Sequence, residues 1–382
     1  MISISKLYCD ITGLGDHLRY GRRTHRRPVV VWNTTRRCNL NCIHCYSKSE
    51  SKTYPEELTT DEAKAFIKDI AEFGVPVLLF SGGEPLLRKD LFQLARLACD
   101  AGVRAVLSTN GTLITETIAK KIKTAGFSYV GVSLDGMSAT NDKFRGIQGA
   151  FKAAVEGIRN CIKVGIRTGL RFTVTKHNYK DIPAIFNFVE AEHILRLCFY
   201  HLVYVGRGSD MVKDDLTHKE TRRFMDYVLM KAEEFHQKGL GTEILTVDNH
   251  SDAAYLYLKL REKNPKRAEE ALRLLKLNGG NSSGIGIACV DSNGYVHPDQ
   301  FWQHYSLGNI RNRKFSEIWV DDSEPLLRAL RNRKEHLKGR CLRCRFLDIC
   351  NGNLRVRAEA VYGDVWAPDP ACYLTDEEIE LN

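Results

Sequence analysis

Cys38, Cys42 and Cys45 sit close together in Thr34-Thr35-Arg36-Arg37-Cys38-Asn39-Leu40-Asn41-Cys42-Ile43-His44-Cys45-Tyr46. Three thiolates at this spacing can each take one iron of a four-iron cube, and with no fourth cysteine nearby one iron keeps an open position. A zinc site or reduced core thiols are the alternatives, but the position of the triplet, directly after a β-rich run, favours the cluster. A second set, Cys341, Cys344, Cys350 and Cys372, can either close a structural zinc site or fully ligate an auxiliary iron–sulfur cluster. Cys289 is a fifth candidate ligand, whereas Cys9, Cys99, Cys161 and Cys198 stand alone and read as core thiols. Twelve cysteines with no secretory signal are hard to explain as disulfides, which again favours metal or cluster ligation.

Other polar residues fall at places where they could serve a bound ligand. Ser81-Gly82-Gly83-Glu84-Pro85 combines two glycines, which let a backbone come close, with a carboxylate that can accept from an ammonium. By itself such a Gly-Gly pair is only a turn; its place after a second β-rich run makes it informative. Ser108-Thr109-Asn110 and Ser133-Leu134-Asp135-Gly136 end two further runs, and Arg145 and Arg171 could meet a carboxylate.

Residues 28–205 alternate β-rich stretches with helical ones. Strands are expected at 29–33, 77–80, 105–108, 129–133, 170–174 and 197–203. Thr59-Thr60-Asp61-Glu62 is a capping box ahead of an amphipathic run to Phe73, with Gly74 to close it; Asp90 and Thr115 can cap the next two helices. Six βα units in series imply a parallel sheet, and their number suits a partial (β/α)6 TIM-type barrel in an α/β fold. The site then lies at the C-terminal strand ends, where the polar residues just named fall. The expected organisation is an N-terminal extension (1–27), the barrel (28–215), a helical linker broken at Pro265 (216–284) and a small cysteine-rich domain (285–382). That last part opens on a hairpin, 287–290 with 295–297, turned by Asn293-Gly294.

The Cys38, Cys42, Cys45 motif followed by Ser81-Gly82-Gly83-Glu84-Pro85 resembles the radical S-adenosylmethionine (SAM) superfamily. The resemblance implies a [4Fe-4S] cluster on those cysteines whose open iron chelates the amino and carboxylate groups of SAM, the cofactor that supplies the radical. It further implies SAM contacts at Gly82, Gly83 and Glu84 for the amino group, at Asn110, Ser133 and Asp135 for the ribose, and at Arg145 and Arg171 for the carboxylate. His44 takes the place that packs near adenine. The tail is similar to the SPASM/twitch extensions, which implies a second iron–sulfur cluster, [4Fe-4S] in type, on Cys341, Cys344, Cys350 and Cys372. The larger SPASM pattern has another cysteine after the hairpin; His297-Pro298-Asp299-Gln300 has none, arguing for one auxiliary cluster.

Further stretches narrow the resemblance: Ile4-Ser5-Lys6-Leu7-Tyr8-Cys9, the segment from Cys198 to Gly208, Leu245-Thr246-Val247-Asp248-Asn249-His250, Cys289 to Trp302, and Asp369-Pro370-Ala371-Cys372. Over essentially the whole chain these are similar to the didecarboxysiroheme deacetylases of the siroheme-dependent haem pathway, whose core and tail the NirJ-type proteins of haem d1 biosynthesis share. The implied activity is removal of two acetate side chains from an iron-containing tetrapyrrole, didecarboxysiroheme, giving iron-coproporphyrin III. Alternatives are a NirJ-type enzyme removing propionates from the same substrate, a peptide-modifying SPASM enzyme, and a non-catalytic haem-binding chaperone. An electron-donor protein of unspecified identity is also implied. A histidine could ligate the substrate iron, with His17, His25, His201, His250, His297 and His304 as candidates.

Bulk properties agree with a soluble enzyme. Hydrophobic content of 43% and charged content of 27% allow a large core with a wet surface. The net charge of +9, with basic residues at Arg19, Arg22, Arg23, Arg26, Arg27, Arg36 and Arg37, suits an anionic small molecule. Little aromatic interleaving argues against nucleic acid. No apolar run is long enough for a bilayer and no signal peptide is evident, so no membrane association and a cytoplasmic location are expected.

Overall fold

Short apolar runs that end on polar residues become the strands of one sheet. The computed structural model describes residues 1–11, 17–20 and 27–380. Arg22, Arg23, Arg26 and His25 lie outside the described residues, as does the side chain of His17. The strands are β1 (Ile2–Ser3), β2 (Val29–Asn33), β3 (Val77–Ser81), β4 (Arg104–Thr109), β5 (Val130–Ser133), β6 (Thr168–Val174), β7 (Arg196–His201), β8 (Glu243–Val247), β9 (Ile287–Val290), β10 (Tyr295–His297) and β11 (Gly308–Asn309). Their order across the sheet is β1-β8-β7-β6-β5-β4-β3-β2-β9-β10-β11. Neighbours from β8 through to β9 pair in parallel.

β2 to β7 are the six expected strands, each followed by a helix that packs apolar residues on the sheet. The helix Thr60–Phe73 has the full capping box between Thr59 and Glu62, and Gly74 ends it in the left-handed region. Thr115 likewise accepts from the Ile118 amide. Asp90 differs from expectation: it makes no cap hydrogen bond, because Arg88 and Thr60 take its carboxylate.

Residues 216–284 are not wholly helical. Between the helices His218–Gln237 and Ser251–Lys263 lies β8, which extends the barrel sheet beside β7 and is buried over four of its five residues. Five residues flanked by long Glu-, Lys- and Leu-rich segments carry too little periodicity to stand out from a helical background. The break before Pro265 separates two helices as expected.

The C-terminal part continues the same sheet. β9 pairs in parallel with β2, with Val31 opposite Cys289, and turns through Gly294 (φ 87°) into antiparallel β10. A buried ion pair fastens this part to the barrel. Arg357, fully buried, meets both oxygens of Asp369 (3.3 and 3.2 Å) and donates to the Asp248 carbonyl at the end of β8 (2.6 Å). Asp369 in turn accepts from the Leu354 and Ala371 amides. No helix among the described residues is long and apolar enough to cross a membrane.

Removing one member of such a pair strands the other charge out of water. Arg357→Leu is expected to lower unfolding free energy by about 3–5 kcal/mol, read as a shift in urea midpoint at constant slope. A loss below about 1 kcal/mol would mean that Asp369 is satisfied by the two amides alone.

Candidate functional site

The loop after β2 is held largely through its main chain. Cys38 donates its amide to the Glu50 carbonyl, Asn41 to the Arg145 carbonyl, and Ile43 to the Phe144 carbonyl. Arg207 closes the other side, donating from Nε to the Cys42 carbonyl (2.8 Å) and from Nη1 to the Ser49 carbonyl (3.2 Å). Cys38 and Cys42 are buried beside Leu40 and Ala150, and Cys45 is partly exposed next to them. Burial pushes the Cys38 thiol up to about 12. Burial also raises Cys42, although Arg145, whose Nη1 lies 3.5 Å from its sulfur, works the other way. Buried thiols of this kind give up their protons when iron takes it over.

The Gly82-Gly83 turn serves the same loop. A Cβ on Gly82 would lie 2.3 Å from the Thr35 carbonyl oxygen, and one on Gly83 would lie 2.2 Å from that of Arg37. Gly83 and Glu84 donate their amides to those two carbonyls (2.7 and 2.8 Å). The Glu84 carboxylate points away from the cavity. It accepts from Leu86 N, Thr109 Oγ1 (2.7 Å) and Asn110 N (2.8 Å), tying the turn after β3 to the end of β4. Burial lifts it to about 7 against these hydrogen bonds.

Asp135 is also consumed internally. Its Oδ1 accepts from Thr173 N, and its Oδ2 is paired with Arg145 Nη2 and lies 3.6 Å from His44 Nε2. Asp135 and Glu84, expected to meet the ribose and the ammonium group, thus also tie neighbouring strand ends together.

What faces the interior is a cavity of about 220 Å³ at the C-terminal strand ends. The three cysteines, His44, Gly82, Gly83, Asn110, Ser133, Arg145 and Arg171 all line it. Asn110 bonds Asn39 and reaches toward the Cys38 sulfur. Arg171 passes over Gly131 to donate to Ser108 Oγ. Arg145 resists the effect of burial through Asp135 and Cys42, which raise its pKa. His44, packed on Phe144, is held neutral by burial and by Arg145 and Arg207, and its Nδ1 is buried without a partner. Three thiols, two guanidiniums and an unpaired imidazole nitrogen fit an iron–sulfur cluster carrying an amino-acid-like ligand with a purine.

Sequence reasoning missed several lining groups as site residues. Arg207, Asp248, Gln300 and Phe301 come from beyond the sixth strand and close the cavity from above. Asp248 directly follows β8 at φ 68°, an uncommon conformation for a residue with a side chain, and burial lifts its carboxyl to about 7. A signal existed: both Gly206-Arg207-Gly208 and Asp248 lie in distinctive stretches, but neither fits a ligand-binding pattern.

Cys341, Cys344, Cys350 and Cys372 are neighbours. The charge of Cys372 raises the other three beyond what burial does, and Cys350 also feels Cys341 and Cys344. Gly280 lies so close that a Cβ would be 2.3 Å from the Cys350 carbonyl carbon. Cys289 stands apart on β9; Asn33 Nδ2 lies 3.7 Å from its sulfur, and Asp291 and Asp299 are the charges that act on it. Among the described residues no three His, Cys, Asp or Glu side chains are grouped to share a single ion. A cube takes each thiolate on a different iron and makes no such demand.

Residues 32–189 match the Radical SAM superfamily, and residues 283–345 match an iron–sulfur cluster-binding domain, SPASM. The Fe-coproporphyrin III synthase of Methanosarcina barkeri is 58% identical, covering 99% of each chain. The pre-heme d1 synthase of Dinoroseobacter shibae is 44% identical over 92% of this chain and 87% of its own. Among solved structures, anSMEcpe with bound AdoMet superposes with a TM-score of 0.70 at 20% identity, covering 90% of this chain and 94% of that one. At that identity the likeness speaks for the fold alone.

Two outcomes follow from the geometry. Gly83→Ala places a methyl against backbone that cannot swing aside, so reconstituted protein should hold less iron and sulfide per chain with unchanged far-ultraviolet circular dichroism. Full iron content would refute the docking role of the turn. Glu84 binds its proton more tightly folded than unfolded, so it makes stability fall as pH rises from the ordinary carboxylate range to about 7. Glu84→Gln should flatten that part of a stability–pH curve measured by urea unfolding; an unaltered slope would assign it to another group.

Proposed function

The chain belongs to the radical SAM superfamily, and on that premise we propose that it forms iron-coproporphyrin III by removing two acetate side chains from didecarboxysiroheme. The observation that carries this reading is the end-to-end match to an Fe-coproporphyrin III synthase, with the three-cysteine loop, the arginine-lined cavity and the second cysteine set all present in one chain. Cys38, Cys42 and Cys45 would hold the SAM-binding [4Fe-4S] cluster, and Cys341, Cys344, Cys350 and Cys372 the auxiliary one. When bound, the first cluster would supply the electron for reductive cleavage of SAM.

This chain's residues orient and shield. Arg145 and Arg171 present guanidiniums to the SAM carboxylate, and the neutral His44 offers Nδ1 to the adenine. Asn110 and Ser133 sit at strand ends within the same cavity, suited to ribose hydroxyls. Phe301 and Leu202 wall the space, keeping water from a species that attacks an unactivated carbon. The protonatable Asp248 is placed to give or take a proton when an acetate group leaves. The basic surplus of the chain matches a substrate bearing several carboxylates. Twelve free thiols suit a reducing, cytoplasmic compartment, where an electron-donor protein would reduce the cluster.

The pre-heme d1 synthase relative keeps a second reading in view, removal of propionates from the same tetrapyrrole. One assay separates them: reconstituted protein incubated anaerobically with SAM, reductant and didecarboxysiroheme, followed by mass analysis. Stepwise loss of two acetates with deoxyadenosine formation is the expected result. Loss of propionates, or an unchanged tetrapyrrole with intact clusters, would overturn it. Cys350→Ala should bind SAM normally and form no product; full turnover would remove the auxiliary cluster from the reaction.

A further inference from the structure

A second cavity, of about 600 Å³, adjoins the first, and Tyr46, Ser47 and Phe301 line both. Its volume lies within the range of about 300–1,000 Å³ typical of small-molecule sites. Phe301 and Val356 belong to one apolar cluster with Trp302 and Leu354, and Tyr46 stands edge-on to Phe301 at 5.7 Å. That gives the cavity an apolar wall. Arg36 and Lys48 line it as cations, and the Arg36 guanidinium lies over the Tyr54 ring (5.2 Å). Two carboxylates are present as well. Asp291 is used by the hairpin, accepting from the Asn293 and Tyr295 amides, and Glu359 is paired with a histidine.

Position separates the candidate histidines. His201, at the end of β7, lines the first cavity with Tyr200, and its Nε2 is taken by Asp252 (2.9 Å) while its ring stands against Phe224. His297 is buried with Nδ1 on the Tyr305 carbonyl (2.7 Å). His250 is buried close to the amino terminus. His304 alone of these four lines the second cavity. Its ring is stacked on Trp302 (5.6 Å, 26°), and Nε2 lies 2.8 Å from Glu359 Oε2, which leaves Nδ1 for a ligand.

We propose that the second cavity receives the tetrapyrrole macrocycle and that His304, oriented by Glu359 and Trp302, ligates its iron through Nδ1. This rests on the substrate proposed above. A carboxylate on the far nitrogen fixes the tautomer and turns the ring, and it strengthens the imidazole as a ligand. The shared wall at Phe301 and Tyr46 would then bring a side chain of the macrocycle to the edge of the SAM cavity. Arg36 and Lys48 would take carboxylates at the rim.

The test uses the reconstituted full chain with ferric coproporphyrin III as the probe, read by electron paramagnetic resonance, in which oxidised [4Fe-4S] clusters are silent. The wild type should show imidazole-ligated ferric iron. His304→Ala should bind the probe without that signature, and added imidazole should restore it. Glu359→Gln should keep the ligation but bind about tenfold more weakly. Iron content and SAM binding are measured throughout, and His304→Gln replaces any alanine variant that has lost them. An unchanged signature in the His304 variants would overturn the ligand and leave the reaction standing. Failure of the wild type to bind the probe would overturn the proposed substrate and the ligand together.

Discussion

Backbone pressed on backbone is the constraint from which the site is built. The cysteine loop is flanked by glycines from three different strand ends: Gly82 and Gly83 after β3, Gly146 after the helix that follows β5, and Gly206 after β7. A Cβ at any of them would fall within 2.5 Å of a loop carbonyl oxygen. Main-chain contacts of that kind are stiff, since no side-chain rotamer can relax them. They position the three sulfurs without using the sulfurs, which remain available as ligands. Preorganisation of this sort is what a site needs if the ligand is to set its electronics and the protein its geometry.

The six barrel strands were legible in the sequence because each is a compact apolar run bounded by turn residues, with a helix behind it. The cysteine triplet was legible because three thiols have few other uses at that spacing, and the Gly-Gly turn because of its place after the second strand. Less could be read where meaning depends on which strand lies alongside. Glu84 and Asp135 read only as ligand-binding carboxylates in one dimension; in three each also braces the fold, one held by Thr109 and Asn110, the other by Arg145 and Thr173. β8 was hidden for a similar reason, its five residues being recognisable only through their register with β7. Arg207 and Phe301 reach the cavity from sequence positions far from the loop they cover.

With those two carboxylates occupied, the groups left facing the first cavity are mostly cationic or neutral. Arg171 turns toward it, Arg145 is shared between Asp135 and the Cys42 sulfur, and His44 carries no charge. Such a lining favours a ligand with a carboxylate and opposes an unbound second cation, because a buried charge must find its partner. Asp248 is the exception, and its environment explains why it is tolerable. Burial raises it to about 7 while Arg357 behind it pulls the other way, so it can exist in either protonation state near neutrality.

The sheet itself explains how the cysteine loop and the C-terminal hairpin come to border two adjoining cavities. β2 delivers the cysteine loop from its C-terminal end, and β9, paired beside it with Val31 opposite Cys289, leads through the hairpin to Phe301 and His304. Asn33 locks the seam: its Nδ2 lies 3.7 Å from the Cys289 sulfur while its Oδ1 accepts from the Tyr46 hydroxyl at 2.9 Å. The wall between the cavities is therefore fixed by strand register and not by a flexible linker. A one-residue slip of β9 against β2 would exchange its inward and outward faces. The seam residue Asn33 opposes such a slip. The C-terminal domain is thus part of the barrel's architecture, and the position of the second cysteine set relative to the first follows from hydrogen bonding that begins at β2.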